Sequence, residues 1–126
     1  MTHTKNRHGI ILFAHGSRDP LWHKPIEAVA THITNLAPNT PVVCAYLELS
    51  TPDLAVATQL LLEGGVEHIT ILPMFLGVGK HAREDLPLLV AGLLVQHPHI
   101  QFTLKPAIGE DVRLVKLMAE IALDSP

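Results

Sequence analysis

Continuous runs of apolar residues alternate along this chain with longer stretches that have helical spacing. The four apolar runs cover residues 9–14, 42–47, 69–72 and 100–104. The first two runs are apolar throughout, which is typical of a parallel strand buried on both faces. The third contains Thr70, and the fourth contains Gln101 and Thr103. We therefore predict four strands in one sheet.

In the stretches between these runs, apolar side chains recur three and four positions apart, as on one face of an α-helix. Thr51 and Pro52 predict the start of the second helix, as a capping hydroxyl followed by proline, and Gly64–Gly65 predict its end. The last helix is expected to carry one apolar face around Met118. The order βαβαβαβα predicts an α/β fold with a four-stranded, mainly parallel sheet flanked by helices.

The composition is that of one globular domain, which we expect to cover residues 1–126. Hydrophobic residues make up 48% of the chain and charged residues 17%. A net charge of −3 without clustered Lys and Arg argues against a nucleic-acid partner. Because no run has the length of a membrane span and no signal peptide is evident, we expect a cytoplasmic protein with no membrane partner. Cys44, the single cysteine, is expected to be a buried thiol.

Polar side chains follow three of the predicted strands. His15 comes after the first strand, Glu48 after the second, and His81 after the loop that ends the third. Carboxyl ends of parallel strands meet at one edge of the sheet, where open α/β proteins bind ligands. Neutral imidazole binds divalent cobalt, nickel, iron and zinc, and both imidazole and carboxylate accept protons. The set predicts a loosely held divalent metal ion with proton acceptors beside it.

Each of these three residues also has a purely structural interpretation. His15 could hydrogen-bond a loop carbonyl, His81 could cap the helix that follows it, and Glu48 could be an exposed charge at a strand end. Their convergence on one edge of the predicted sheet is more informative than any one of them alone.

Five short segments give the chain a resemblance to a known family. They are FAHGSRDP at 13–20, LE at 47–48, LPMFLGVGKH at 72–81, DLP at 85–87 and PAIG at 106–109. The chain resembles the short form of the sirohydrochlorin metal chelatases, the CbiX/SirB type of the class II chelatases. The segments span nearly the whole chain in the family's order. The combination of the segment at 13–20 with the segment at 72–81, at this spacing, is specific for the family. The bulky stretch at 21–25 departs from the family's pattern, at the entrance of the expected cleft.

The resemblance implies a chelatase-like half-domain with a lyase activity in cobalamin or siroheme biosynthesis. Its substrates would be a sirohydrochlorin-type tetrapyrrole and a divalent metal ion, Co2+, Fe2+ or Ni2+, with no permanently bound cofactor. The family's metal-binding and catalytic histidines fall on His15 and His81. The family's strand-end glutamate falls on Glu48, which is therefore a third candidate catalytic residue.

Further residues on the same loops are candidates for binding the substrate. A sirohydrochlorin-type tetrapyrrole carries carboxylates around its rim, and Ser17, Arg18 and Lys80 lie on the two loops that hold the histidines. The alternative is that Ser17 and Arg18 only stabilise a turn and that Lys80 is solvated.

The resemblance also implies a homodimer, because longer family members contain two halves of this kind and this chain contains one. We expect the pairing surface to include the apolar loop at 74–78, together with Leu21 and Trp22. Without a partner these apolar side chains would face solvent near the site. The alternative is that they fold back onto their own sheet.

Three other functions are alternatives to the chelatase. A non-catalytic carrier of metal or tetrapyrrole on the same fold is the main alternative, because fold alone does not define function. The sequence Arg7-His8-Gly9 is similar to a histidine phosphatase motif, but it precedes the first strand instead of following it. An α/β-hydrolase fragment would need a G-x-S-x-G turn, which the sequence lacks.

Overall fold

The computed structural model describes residues 7–125, so the expectation about an N-terminal signal segment falls mainly on residues outside that range. Its four strands are β1 (His8–Ala14), β2 (Val42–Tyr46), β3 (His68–Pro73) and β4 (Gln101–Leu104). They pair in parallel, in the order β2-β1-β3-β4. This confirms the predicted four-stranded α/β fold and places β1 inside the sheet.

In the described range, four α-helices and two short 3-10 helices connect and follow the strands. The α-helices are α1 (Lys24–Leu36), α2 (Leu54–Glu63), α3 (Lys80–Gln96) and α4 (Val112–Leu123), and the 3-10 helices are Pro20–His23 and Ile108–Glu110. The predicted start of the second helix at Thr51 is wrong. Asp53 is the cap, because its backbone is extended and its carboxylate accepts a hydrogen bond of 2.9 Å from the Val56 N–H.

One face of the sheet carries the main hydrophobic core. Successive strand residues point to opposite faces, so Ile11, Phe13 and Ile71 lie on the same face. These side chains are fully buried and pack against apolar residues of α2 and α3, among them Leu61 and Leu93. Burying each such side chain is worth roughly 1.5–3 kcal/mol, so this face supplies much of the stability that holds the strand ends in place.

The other face of the sheet is covered less completely. Helix α1 packs over β2 and β1, where the Cys44 sulfur lies 4.0 Å from the Ile26 carbonyl oxygen. Cys44 is half-buried rather than fully buried, and burial, together with the nearby Glu27 carboxylate, raises the pKa of its thiol. Within residues 7–125, no helix is both long and apolar enough to cross a membrane.

Helix α4 packs chiefly against the 3-10 helix that precedes it. The apolar periodicity of α4 is present, but none of its residues is buried, and Val112, Ile121 and Leu123 are largely exposed. The sequence therefore predicted the helix correctly without indicating what its apolar face would contact.

Candidate functional site at the carboxyl edge of the sheet

The loops that follow β1, β2 and β3 lie side by side because β1 is flanked by the other two strands. Backbone hydrogen bonds continue past the strand ends. The Glu48 N–H donates to the His15 carbonyl over 3.1 Å, and the Met74 N–H donates to the Phe13 carbonyl over 2.7 Å. His15 is thus held between the loop that carries Glu48 and the loop that leads to His81.

The His15 side chain is exposed and rests on an aromatic ring. Its imidazole centroid lies 4.3 Å from that of Phe75, with an angle of 30° between the ring planes. Phe75 itself is only 3% exposed and belongs to the core. A fixed aromatic platform therefore restrains an imidazole that is otherwise open to solvent.

Gly16 allows the His15 loop to touch the Glu48 loop. Its φ angle is +94°, in the left-handed region, and a Cβ atom there would lie 1.9 Å from the Glu48 carbonyl oxygen. Any other residue would push the two loops apart. The Glu48 side chain is exposed, so its carboxylate is accessible beside this contact.

His81 approaches the same edge from β3 and lies in the first turn of α3. The helix begins at Lys80, and Gly79 at the N-cap provides no side-chain cap. The preceding loop is held by the exit of β4: the Gly109 N–H donates to the Phe75 carbonyl over 3.0 Å, and a Cβ on Gly109 would lie 1.7 Å from the Leu76 oxygen. The His81 side chain is exposed.

The edge brings together the loops of His15, Glu48 and His81 without forming a closed metal site. Among residues 7–125, no group of three or more His, Cys, Asp or Glu side chains could hold a metal ion. The three side chains follow separate strands along one edge, and imidazole and carboxylate are groups that can each bind a divalent ion or accept a proton. An ion bound by so few protein groups keeps coordination positions free for another molecule.

The three candidate substrate-binding residues differ in how they are held. The Ser17 hydroxyl accepts a hydrogen bond of 3.0 Å from the Asp19 N–H, which agrees with a turn-stabilising role. Arg18 and Lys80 are exposed, and neither forms an ion pair within the part of the chain that the structure describes. Their charges are therefore available to an anionic molecule at this edge.

Sequence reasoning missed one residue at the site, His23, which it noted only as part of a bulky stretch. His23 is half-buried, its ring is stacked on Tyr46 at 4.5 Å, and its Nε2 lies 2.9 Å from the Ser50 hydroxyl oxygen. Together with His15 and Trp22 it lines a cavity of about 170 Å³. No periodicity or motif marks His23, because its partners lie in other segments of the chain.

The open parallel sheet makes this chain an α/β protein, and its two imidazoles and one carboxylate follow the strands at the edge where such proteins bind ligands. Residues 9–125 match the model of the CbiX family, and the chain belongs to that family. This confirms the resemblance given by the sequence motifs.

Two crystal structures are similar to this chain over most of its length. A CbiX protein from Marinobacter aquaeolei VT8 has 33% identity and a TM-score of 0.79, covering 91% of this chain and 93% of that one. The sirohydrochlorin chelatase SirB from Bacillus subtilis subspecies spizizenii, in complex with cobalt, has 25% identity and a TM-score of 0.75. That match covers 93% of this chain but 52% of SirB.

Curated relatives carry chelatase names. The sirohydrochlorin cobaltochelatase of Methanopyrus kandleri is 31% identical over 62% of this chain and 54% of its own length. The sirohydrochlorin cobaltochelatase of Sulfolobus acidocaldarius is 27% identical over 90% of this chain and 89% of its own length. The sirohydrochlorin ferrochelatase of Bacillus subtilis strain 168 is 25% identical over 87% of this chain and 42% of its own length.

Proposed function

We propose that this protein is a sirohydrochlorin chelatase that inserts Co2+ or Fe2+ into a sirohydrochlorin-type tetrapyrrole. Ni2+ is a third candidate, since it also suits imidazole ligands. Cobalt insertion would belong to cobalamin biosynthesis and iron insertion to siroheme biosynthesis. The observation that carries the proposal is that His15, Glu48 and His81 follow three neighbouring strands of a CbiX-family sheet and remain accessible at its edge.

The chemistry of insertion explains the role of an open site. Two pyrrole N–H protons must leave while the metal passes from protein ligands to the ring nitrogens. In this proposal His15 and His81 bind the ion through neutral imidazole. As the ion passes to the ring nitrogens, the Glu48 carboxylate accepts one of the two protons and an imidazole freed from the metal accepts the other. A closed cage of protein ligands would retain the ion, whereas separate ligands can release it to the macrocycle.

The rim of the tetrapyrrole would be bound by the same loops. In this proposal the guanidinium of Arg18 and the ammonium of Lys80 attract the rim carboxylates, and Ser17 adds polar contact. Exposed pairs of this kind contribute little individually, about 0.2–1 kcal/mol each. They would hold the ring in place without participating in proton transfer.

We propose a homodimer in the cytoplasm as the working unit, because one edge supplies one wall of a cleft. Support comes from exposed apolar side chains near the site: Trp22 is 71% exposed, Leu76 is 65% exposed and Leu21 is 62% exposed. Phe75, expected in this surface, belongs instead to the core beneath His15. Closed two-fold pairing is the commonest form of oligomer.

The dimer is tested by sedimentation at micromolar concentration. Trp22→Ala should shift the protein toward the 13.7 kDa monomer. Leu36→Ala, which removes another largely exposed apolar side chain at the far end of α1, should leave the dimer unchanged. A wild-type monomer with full activity would contradict the two-walled cleft.

The activity is tested by following the absorbance of sirohydrochlorin under anaerobic conditions with Co2+, Fe2+ and Ni2+ in parallel. His15→Ala and His81→Ala should each lower the insertion rate about 100-fold or more, as expected for loss of a metal ligand or general base. His32→Ala, which removes an exposed histidine of α1, is the matched control and should keep the wild-type rate. Binding of metal and tetrapyrrole without acceleration would instead identify a carrier.

A further inference from the structure

The hydroxyl group of Ser50 joins the two loops at the centre of the site. It donates a hydrogen bond of 2.7 Å to the Ser17 carbonyl and accepts one of 3.1 Å from the Ser17 N–H. Ser17 lies two residues after His15, and Ser50 lies two residues after Glu48. This pair of hydrogen bonds therefore fixes the loop of one candidate catalytic residue to the loop of the other.

The number of protons and lone pairs on this hydroxyl decides whether His23 donates or accepts its hydrogen bond. A serine hydroxyl has one proton to donate and two lone pairs that accept. The proton is donated to the Ser17 carbonyl, and one lone pair accepts from the Ser17 N–H. The His23 Nε2, 2.9 Å away, must therefore carry a hydrogen and donate it to the remaining lone pair.

The His23 ring is held in place from a second direction. It stacks on Tyr46, with centroids 4.5 Å apart and 27° between the planes. Tyr46 ends β2 and is buried, so it is a rigid support. His23 also lines the same cavity as His15.

We propose that His23 is a positioning residue for the metal-insertion reaction. By donating to Ser50 it fixes the Ser17–Ser50 connection and, through it, the placement of His15 relative to Glu48. The inference rests on the proposed function, and it assigns a role to one residue of the bulky stretch at 21–25. His23 acts through Ser50 and does not itself need to touch the metal or the macrocycle.

Two substitutions of His23 separate hydrogen bonding from stacking. His23→Phe keeps a ring against Tyr46 but cannot donate. His23→Gln loses the ring, but its amide N–H group lies about as far from the backbone as Nε2 of histidine and can donate to Ser50. We expect His23→Phe to lower kcat about 10-fold, as for loss of one hydrogen bond in a network, with the KM for sirohydrochlorin changed less than about twofold. Ser50→Ala removes all three hydrogen bonds of the hydroxyl and should lower kcat at least as much.

We expect His23→Gln to recover most of the wild-type kcat. The double variant His23→Phe/Ser50→Ala should be no slower than the slower single variant, because both remove the same connection. A wild-type kcat in His23→Phe, equal impairment in His23→Gln, or multiplicative losses in the double variant would overturn the proposal. Similar melting temperatures in all variants would exclude general unfolding as the cause.

Amide hydrogen exchange at Ser17 tests the same inference without any turnover. The Ser17 N–H donates to Ser50, so His23→Phe should accelerate its exchange and His23→Gln should restore protection. Unchanged exchange in His23→Phe would overturn the positioning role. If the wild-type protein inserts no metal, the proposed function fails, while exchange at Ser17 still decides whether His23 holds the loop.

Discussion

The imidazole of His15 lies on the ring of Phe75, 4.3 Å between centroids, and so joins the loop after β1 to the loop that leads to His81. His15 is exposed and Phe75 is part of the core. One residue at the surface of the site is therefore oriented by a residue whose position is fixed by packing. Packing of the core therefore also restrains the orientation of the His15 imidazole at the sheet edge.

Phe75→Leu should reduce metal insertion more than its effect on stability explains. Leucine keeps an apolar side chain in the core but removes the aromatic face, a contact worth about 0.5–1.5 kcal/mol, so we expect a rate loss of about 2- to 10-fold. Insertion kinetics and urea unfolding should be measured together. Phe102→Leu, a similar change on β4, is the control and should lower stability alone. Equal rates for the two variants would contradict the orienting role.

Gly109→Ala should destabilise the protein, because the new methyl group would overlap the Leu76 backbone. We expect a loss of about 1–3 kcal/mol in the free energy of unfolding, as for other overpacking changes. Gly77→Ala is the matched control on the neighbouring loop, where a Cβ meets nothing within 4 Å, and should change stability by less than about 0.5 kcal/mol. Denaturant unfolding of both variants checks the difference, and similar losses would count against it.

The protein should become less stable as pH falls from 7.5 to 5, partly through His8. Burial lowers the pKa of His8, and the neighbouring His68 and Lys105 lower it further. The folded pKa is thus below the unfolded value of 6.5. Between these two pKa values the unfolded chain binds more protons than the folded chain. The contribution of His8 to stability is therefore fully present above pH 6.5 and is lost as pH falls through the folded pKa.

His8→Gln should therefore have a smaller difference in unfolding free energy between pH 7.5 and pH 5 than the wild-type protein. His32→Gln, at an exposed position on α1, serves as the control and should retain the wild-type difference. Urea titrations at the two pH values give both numbers. An unchanged difference in His8→Gln would show that other groups account for the acid sensitivity.

Arg18→Gln combined with Lys80→Gln should raise the KM for sirohydrochlorin about 3- to 10-fold and lower kcat less. Two exposed charges that each contribute up to about 1 kcal/mol to binding give a change of this size. Arg7→Gln with Lys116→Gln removes the same net charge from residues outside the two histidine loops: Arg7 precedes β1 and pairs with Glu67, and Lys116 lies on α4. If both double variants raise KM equally, net charge rather than local contact is responsible.

The strands were predictable because each is a short, mainly apolar run between helical stretches, and the structure confirms them to within one or two residues. Helix starts were less predictable: Thr51 and Asp53 both have capping side chains, and only the backbone conformation selects Asp53. Because the carboxyl ends of parallel strands meet at one edge, His15 and Glu48 were predicted to lie in adjacent loops, as the structure has them. The connection from His23 to Ser50 joins residues 27 apart in the chain, so it depends on a distance in space that no local pattern records.

The stacking of His15 on Phe75 also gives the molecule an internal spectroscopic reporter. Protons of the imidazole experience the ring current of Phe75, and that shift depends steeply on the distance and tilt between the rings. A ligand that separates the loop after β1 from the loop after β3 would change the His15 resonances, even without touching His15. Nuclear magnetic resonance of this one side chain would therefore follow opening and closing of the sheet edge, with no attached probe.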